Sequence, residues 1–140
     1  MATWTHRESM QGGCLCGAIR YQVDGRPLRT TNCHCLDCRL SSGAVFITWM
    51  EFHPDDFHLL SGAPSRHQSS PRVTRQFCAS CGTQLTYQHA DEQNVIDVTA
   101  CSLDQVDTVM PQDHVWCDRM APWVKLADGL PRFGRGKFDD

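Results

Sequence analysis

Short alternations of apolar and polar residues are the most regular feature of the chain. Ala18–Val23 places Ile19, Tyr21 and Val23 on one face, the period of a half-buried strand. Ala44–Met50 (AVFITWM) is an apolar run rich in β-branched and aromatic residues, which predicts a buried strand. Phe57–Leu60 before Ser61-Gly62, Val73–Phe77, Gln84–Gln88 and Val95–Thr99 add four more. Gly25, Pro27, Pro54, Gly62, Pro64 and Pro71 punctuate the pattern. Helices are minor. Leu36–Ser41 suits a turn or two before Gly43, and Ser102 with Gln105 three residues on makes a weak capping box over Ser102–Val106. After Pro111 the sequence reads as irregular. The pattern predicts a mostly β fold of six or so short strands with cysteine-bearing turns.

The length of 140 residues fits a single domain over residues 1–140, with a core at about 10–133 and a loose tail at 134–140. A chain of this size buries about two-thirds of its unfolded surface, enough for a real core. Formal charge is -3 with the histidines neutral, and the basic residues are scattered. A nucleic-acid groove needs a basic stripe, and none is present. The opening MATWTHRESM lacks the apolar run of a secretory signal. No segment approaches the roughly 18 apolar residues of a membrane span. These features lead us to expect a cytoplasmic protein without nucleic-acid or membrane partners.

Nine cysteines in a reducing compartment argue for metal rather than disulfides, and an odd count leaves any full pairing with a remainder. Seven of them fall into three groups: Cys14 and Cys16, then Cys33, Cys35 and Cys38, then Cys78 and Cys81. Such spacings suit zinc, because a tight turn aims both sulfurs at one ion. Gly12, Gly13, Gly17 and Gly82 support these turns. Seven thiolates cannot fill two closed four-cysteine sites, and the economical partition is four plus three. Cys14, Cys16, Cys78 and Cys81 then form a closed structural site, while Cys33, Cys35 and Cys38 hold a second ion with one position free, as catalytic zinc does. The alternative is a closed second site completed by Cys101, Cys117 or one of the seven histidines. His34, lying between two ligands, should point elsewhere. Cys101 and Cys117 otherwise read as ordinary buried cysteines.

An ion held by three thiolates carries net charge -1 and is a poor generator of hydroxide. It is better suited to holding a substrate sulfur as thiolate. That chemistry points to making or breaking a carbon–sulfur bond.

The cysteine motifs also carry a family likeness. Gly12–Tyr21 (GGCLCGAIRY) resembles the opening signature of the glutathione-dependent formaldehyde-activating family, which includes centromere protein V. Cys33–Arg39 (CHCLDCR) with Ser42-Gly43 is similar to its second signature, and Phe77–Thr83 (FCASCGT) to its third. The Pro111–Trp116 stretch with His114 is also similar. The chain departs from the best-known members in a shorter C-terminal part and in the form of its second motif. The resemblance implies a mainly antiparallel β fold, two zinc ions per chain and a carbon–sulfur lyase activity of the S-(hydroxymethyl)glutathione synthase kind. It implies structural zinc on Cys14, Cys16, Cys78 and Cys81, and catalytic zinc on Cys33, Cys35 and Cys38. The expected partner is a small thiol or thioether, with glutathione one candidate.

Arg39, one residue after the last of the trio, is a candidate for bidentate binding of a substrate carboxylate, against a plain ion pair. His34 is the other substrate-binding candidate. His34 and Asp37 also flank the ligands closely enough to orient them or move protons, and for His34 the orienting role is favoured. Arg75 reads as an exposed strand residue, and His114 and Asp118 as structural. Trp49, Phe77, Trp116 and Trp123 either line a pocket or fill the core. The functional expectation is a zinc-dependent lyase acting on a thiol adduct, with a non-catalytic zinc-stabilised binding module as runner-up.

Overall fold

The computed structural model describes residues 8–136. The mostly β expectation holds, with more strands than the apolar pattern revealed. The elements are β1 (Ser9–Gly13), β2 (Arg20–Asp24), β3 (Arg29–Cys33), α1 (Leu36–Ser42), β4 (Ile47–Phe52), β5 (Phe57–Ser61), β6 (Ser65–Ser70), β7 (Val73–Phe77), β8 (Gln84–His89), β9 (Ile96–Thr99) and β10 (Asp113–Val115). One sheet has the order β1-β2-β5, the other β10-β3-β4-β9-β8-β7-β6. All pairings are antiparallel except β10 with β3.

The strands that hydrophobic patterning passes over are polar. β3 reads RTTNC, yet Thr30, Thr31, Asn32 and Cys33 are all buried. Buried polar groups need partners. Thr31 Oγ1 donates to Asp113 Oδ1, the Thr30 amide donates to Gln112 Oε1 at 3.0 Å, and Thr48 Oγ1 donates to Asn32 Oδ1 at 2.6 Å. β6 (SRHQSS) is an edge strand whose mostly exposed residues need no apolar face. Ala44–Met50 is displaced as well: its first three residues approach the strand, which runs on to Phe52.

β4 separates two apolar clusters by simple alternation. Met50 and Phe52 join the larger core with Tyr21, Val23, Leu85 and Val98, between the sheets. Ile47 and Trp49 join the smaller cluster with Cys33, Cys38 and Val115. A β-bulge in β8 makes the same division there. Gln76 pairs with Thr86 but Phe77 with Gln84, so Leu85 is the extra residue. Alternation flips at that point: Leu85 enters the larger core and Tyr87 the smaller cluster.

Two expectations are corrected near the C-terminus. The Ser102 capping box does not form: Ser102 Oγ donates back to the Thr99 carbonyl at 2.8 Å, and the chain makes short 3-10 turns at Ala100–Ser102 and Val106–Thr108. The region after Pro111 is organised by β10 and by the segment that returns beside it. The His114 amide donates to the Pro131 carbonyl and the Phe133 amide to the His114 carbonyl, each at 2.9 Å. Gly134 and Arg135, assigned to the loose tail, accept bonds from the Asp118 and Trp116 amides at 3.1 and 3.0 Å. Residues 137–140 of that tail lie outside the described residues, as do residues 1–7 of the N-terminal segment.

Candidate metal centres

The structure brings the seven grouped cysteines together as two clusters. The sulfurs of Cys14, Cys16, Cys78 and Cys81 lie within 4.8 Å of one another, as do those of Cys33, Cys35 and Cys38. Among the described residues no histidine, carboxylate or further cysteine joins the trio at that distance. Cys101 is exposed and Cys117 half-buried, so neither is the fully buried cysteine expected, and neither completes the second cluster.

The four-cysteine cluster is assembled from two knuckle turns. In the first, the Gly17 amide returns to the Cys14 carbonyl at 3.1 Å. In the second, the Gly82 amide returns to the Cys78 carbonyl at 2.7 Å. Gly17 has φ 81° and Gly82 φ 82°, a left-handed conformation that side chains resist. Gly12, just before the first turn, is required for space: a Cβ there would collide with the Ser102 carbonyl and the Tyr21 hydroxyl. Thr83 ties the turns together by accepting from the Leu15 amide at 3.0 Å while its hydroxyl lies 3.3 Å from Cys81 Sγ. The Ile19 amide donates to Cys14 Sγ at 3.2 Å. These bonds favour thiolate, holding Cys14 below its ordinary value through Ile19 and Cys81 down at about 5 through Thr83.

The geometry fits zinc. With Zn–S of ~2.3 Å, sulfurs at tetrahedral corners stand ~3.8 Å apart. Cys14 to Cys16 is 3.6 Å and Cys16 to Cys78 is 3.8 Å. Four sulfur donors at this spacing suit a tetrahedral ion.

The trio stands on one turn of chain. Cys33 ends β3, Cys35 caps α1 and Cys38 lies within that helix. The Cys38 amide donates to Cys35 Sγ at 3.3 Å, and the buried Trp49 indole N–H donates to Cys38 Sγ at 3.4 Å. Hydrogen bonds from Cys33 and Cys38 hold the Cys35 thiol well below its ordinary value, and the Cys33 thiol is pushed up in return. Without a cation one sulfur ionises at the others' expense. Three thiolates at this spacing call for a positive ion.

The trio opens into a cavity of about 460 Å³. Its wall is one face of the large sheet. A single cross-strand row runs Arg29, Glu51, Asp97, Tyr87, Arg75, each directly opposite the next, and all five line the cavity. Trp49, Val115 and Trp116 supply apolar wall. Trp116 is the one non-glycine among the described residues with positive φ, 58°, an unusual state for so bulky a side chain. It stands at the turn leaving β10. Burial pushes Tyr87 up to about 12, so its hydroxyl stays protonated. Burial, reinforced by Glu51 and Glu92, raises the Asp97 carboxyl well above the usual range.

Neither candidate substrate contact, His34 or Arg39, lines this cavity. His34 is fully buried, its Nε2 lying 2.9 Å from His114 Nδ1, and it does not line the cavity. Arg39 is exposed on α1 and is absent from the wall. Arg75, read as exposed, is 4% accessible and faces the cavity. Its signal was available, since Val73 and Phe77 flank it at a strand's period. Trp49 and Trp116 line the cavity, Phe77 lines a neighbouring groove, and Trp123 is 72% exposed. Asp37 lies at the cavity and is exposed.

Comparison with known proteins agrees with this construction. The family described as glutathione-dependent formaldehyde-activating enzyme matches residues 9–119, which include both cysteine clusters. The chain belongs to this family. A crystal structure of a Rhodobacter sphaeroides protein shares the fold, with a TM-score of 0.60 and 20% identity over 89% of this chain and 99% of that one. A search of curated proteins returned no match. Among the described residues no helix is long and apolar enough to cross a membrane.

Proposed function

We propose that the protein is a zinc-dependent carbon–sulfur lyase acting on a small thiol adduct, such as a hemithioacetal of the glutathione–formaldehyde type or a related thioether. The observation that carries this reading is the contrast between the clusters. Four cysteines close one around an ion's space, whereas the other offers three and faces a cavity. We assign Cys14, Cys16, Cys78 and Cys81 to structural zinc and Cys33, Cys35 and Cys38 to catalytic zinc. Bound to the trio, zinc would supply an exchangeable, borderline-soft position that favours a sulfur ligand in its thiolate form.

The chain's own residues would do the rest. Trp49 and the Cys38 amide fix the orientation of the trio through their hydrogen bonds to sulfur. Trp49, Val115 and Trp116 limit water around the reacting carbon. In the lyase direction the adduct hydroxyl gives its proton to a carboxylate, its oxygen becomes a carbonyl, and the carbon–sulfur electron pair leaves with sulfur. Asp37, exposed at the cavity beside the trio, is placed for that proton at its carboxylate oxygens. The reverse direction adds the thiolate to the carbonyl and returns the proton. We place this chemistry in a reducing compartment such as the cytoplasm, where the thiols stay available for metal.

X-ray absorption at zinc tests the proposal. The free protein should average closed four-sulfur and open three-sulfur shells, and a thiol substrate should convert the open shell to four sulfurs. A substrate with oxygen in place of sulfur should not turn over. Two four-sulfur shells before substrate, unchanged after it, would return the protein to a zinc-stabilised binding module.

A further inference from the structure

Among the described residues three arginines line the cavity, and their circumstances differ. Arg29 has carboxylate partners, Asp113 at 3.4 Å and Glu51 at 3.9 Å. Arg119 is exposed to solvent. Arg75 is 4% accessible, and no carboxylate of the described residues lies within ion-pair distance of it. Its Nε donates to Ser69 Oγ and its Nη1 to Ser41 Oγ, both at 3.3 Å, and the guanidinium carbon sits 5.0 Å over the centre of the Tyr87 ring. Hydroxyls and a ring face orient a guanidinium without neutralising it. A buried charge lacking a counter-charge costs several kcal/mol of stability, so its retention calls for a reason.

Position supplies the reason. Ser41 Oγ also donates to the Cys38 carbonyl at 3.2 Å, so Arg75 is fastened to the helix that bears the trio. Arg75 lines both the trio's cavity and the adjoining groove of Ser41, His67, Ser69 and Phe77. We propose that Arg75 is a specificity-determining residue that binds a carboxylate carried by the thiol substrate. The planar guanidinium fork matches a carboxylate, and its unused N–H groups remain to be shared. The acids on the same wall do not forbid this. Glu51 turns to Arg29, Asp37 is exposed to water, and the raised Asp97 carboxyl is held toward its neutral form, able to donate a hydrogen bond. The inference rests on the trio being the sulfur-binding end of the site.

Titrating the tryptophan emission of the zinc-loaded protein with three probes separates the two claims. The probes are 3-mercaptopropionate, 2-mercaptoethanol and propionate. The wild type should bind 3-mercaptopropionate about 10- to 100-fold more tightly than 2-mercaptoethanol, the range expected of charge-assisted hydrogen bonds. Arg75→Met should bring that ratio close to one and leave 2-mercaptoethanol binding unchanged. Its melting temperature should not fall, because an uncompensated buried charge has been removed. Arg75→Lys, which keeps the charge but not the fork, should retain part of the preference and decides the matter if Arg75→Met does not fold. An unchanged ratio in either folded variant, or no carboxylate preference in the wild type, overturns the proposal. Propionate binding as tightly as 3-mercaptopropionate, with dependence on Arg75, would sustain the arginine's role and refute the sulfur-binding reading of the trio.

Discussion

His34 and His114 meet nitrogen to nitrogen in the interior, Nε2 to Nδ1 at 2.9 Å, directly behind the loop that carries the cysteine trio. His114 Nε2 lies 2.7 Å from Asp128 Oδ2, and the carboxylate can only accept there. With His114 neutral, its Nδ1 is then an acceptor and His34 must donate from Nε2. That leaves His34 Nδ1 unprotonated, and this buried atom has no hydrogen-bond partner among the described residues. Asp128 thus anchors His114, and through it His34, behind the loop between Cys33 and Cys35.

Removing His114 therefore strands the buried His34 Nε2 beneath the trio. We expect His114→Ala to lower stability by about 2–4 kcal/mol, combining the lost partner with the cavity left behind. Zinc affinity at the trio should fall about 10-fold, as for other groups that orient metal ligands. Denaturant melts and competition with a chelating dye measure the two effects. Unaltered metal affinity in a folded variant would limit the pair to a packing role.

Asp97 gives a pH-dependent prediction with a definite sign. Its carboxyl is raised in the folded state by burial and by Glu51, so the folded chain holds that proton where the unfolded chain has released it. Stability from this group is present at low pH and declines as pH rises from the ordinary carboxylate range to the raised value. Asp97→Asn should be more stable than wild type, with the difference largest at the high-pH end. Thermal melts of the zinc-loaded proteins, run upward from the lowest pH at which the metal stays bound, would show it. An advantage that grows as pH falls would contradict the assignment.

The sequence made the cysteine clusters legible because metal ligation is local chemistry. CxC and CxxC turns bring their own sulfurs together whatever the surrounding fold. The strands that build the cavity wall were less visible. β3 is buried through hydrogen bonds of Thr31 and Asn32 to neighbouring strands, which leave no apolar period to read. β10 is a three-residue strand held on one side by β3 and on the other by the returning 131–135 segment. The row from Arg29 to Arg75 depends on registers among five strands, and no local signal fixes those. Arg39 drew attention through its closeness in sequence to the trio, yet a helix carries it away from the cavity. Arg75, 37 positions after Cys38 in the chain, is brought back by β7.

The two cysteine clusters should respond differently to truncation. Cys14 and Cys78 lie in the larger core with Ile19, Tyr21 and Leu85, and their cluster joins the turn after β1 to the turn after β7. Structural zinc in small modules contributes on the order of 10 kcal/mol to folding. Cys14→Ala or Cys81→Ala should therefore give insoluble or unfolded protein. Cys35→Ala removes a ligand from one local turn and should leave a folded chain with a single zinc and no lyase activity. Equal loss of fold in both kinds of variant, read by circular dichroism and metal content, would remove the distinction.

Metal lability follows from the same inequality without any mutation. Three ligands grouped at a cavity leave one side of an ion open to a competing chelator, whereas four ligands in two interlocked turns do not. Graded chelation should extract zinc in two steps. The first step should abolish activity while circular dichroism stays unchanged, because β3, β4 and α1 keep their backbone bonds and Trp49 its packing. Adding zinc back at this stage should restore activity fully. The second step should coincide with loss of the fold, since it opens the knuckle turns that join the sheets. Loss of both ions in one step, together with the fold, would mean that both clusters are closed.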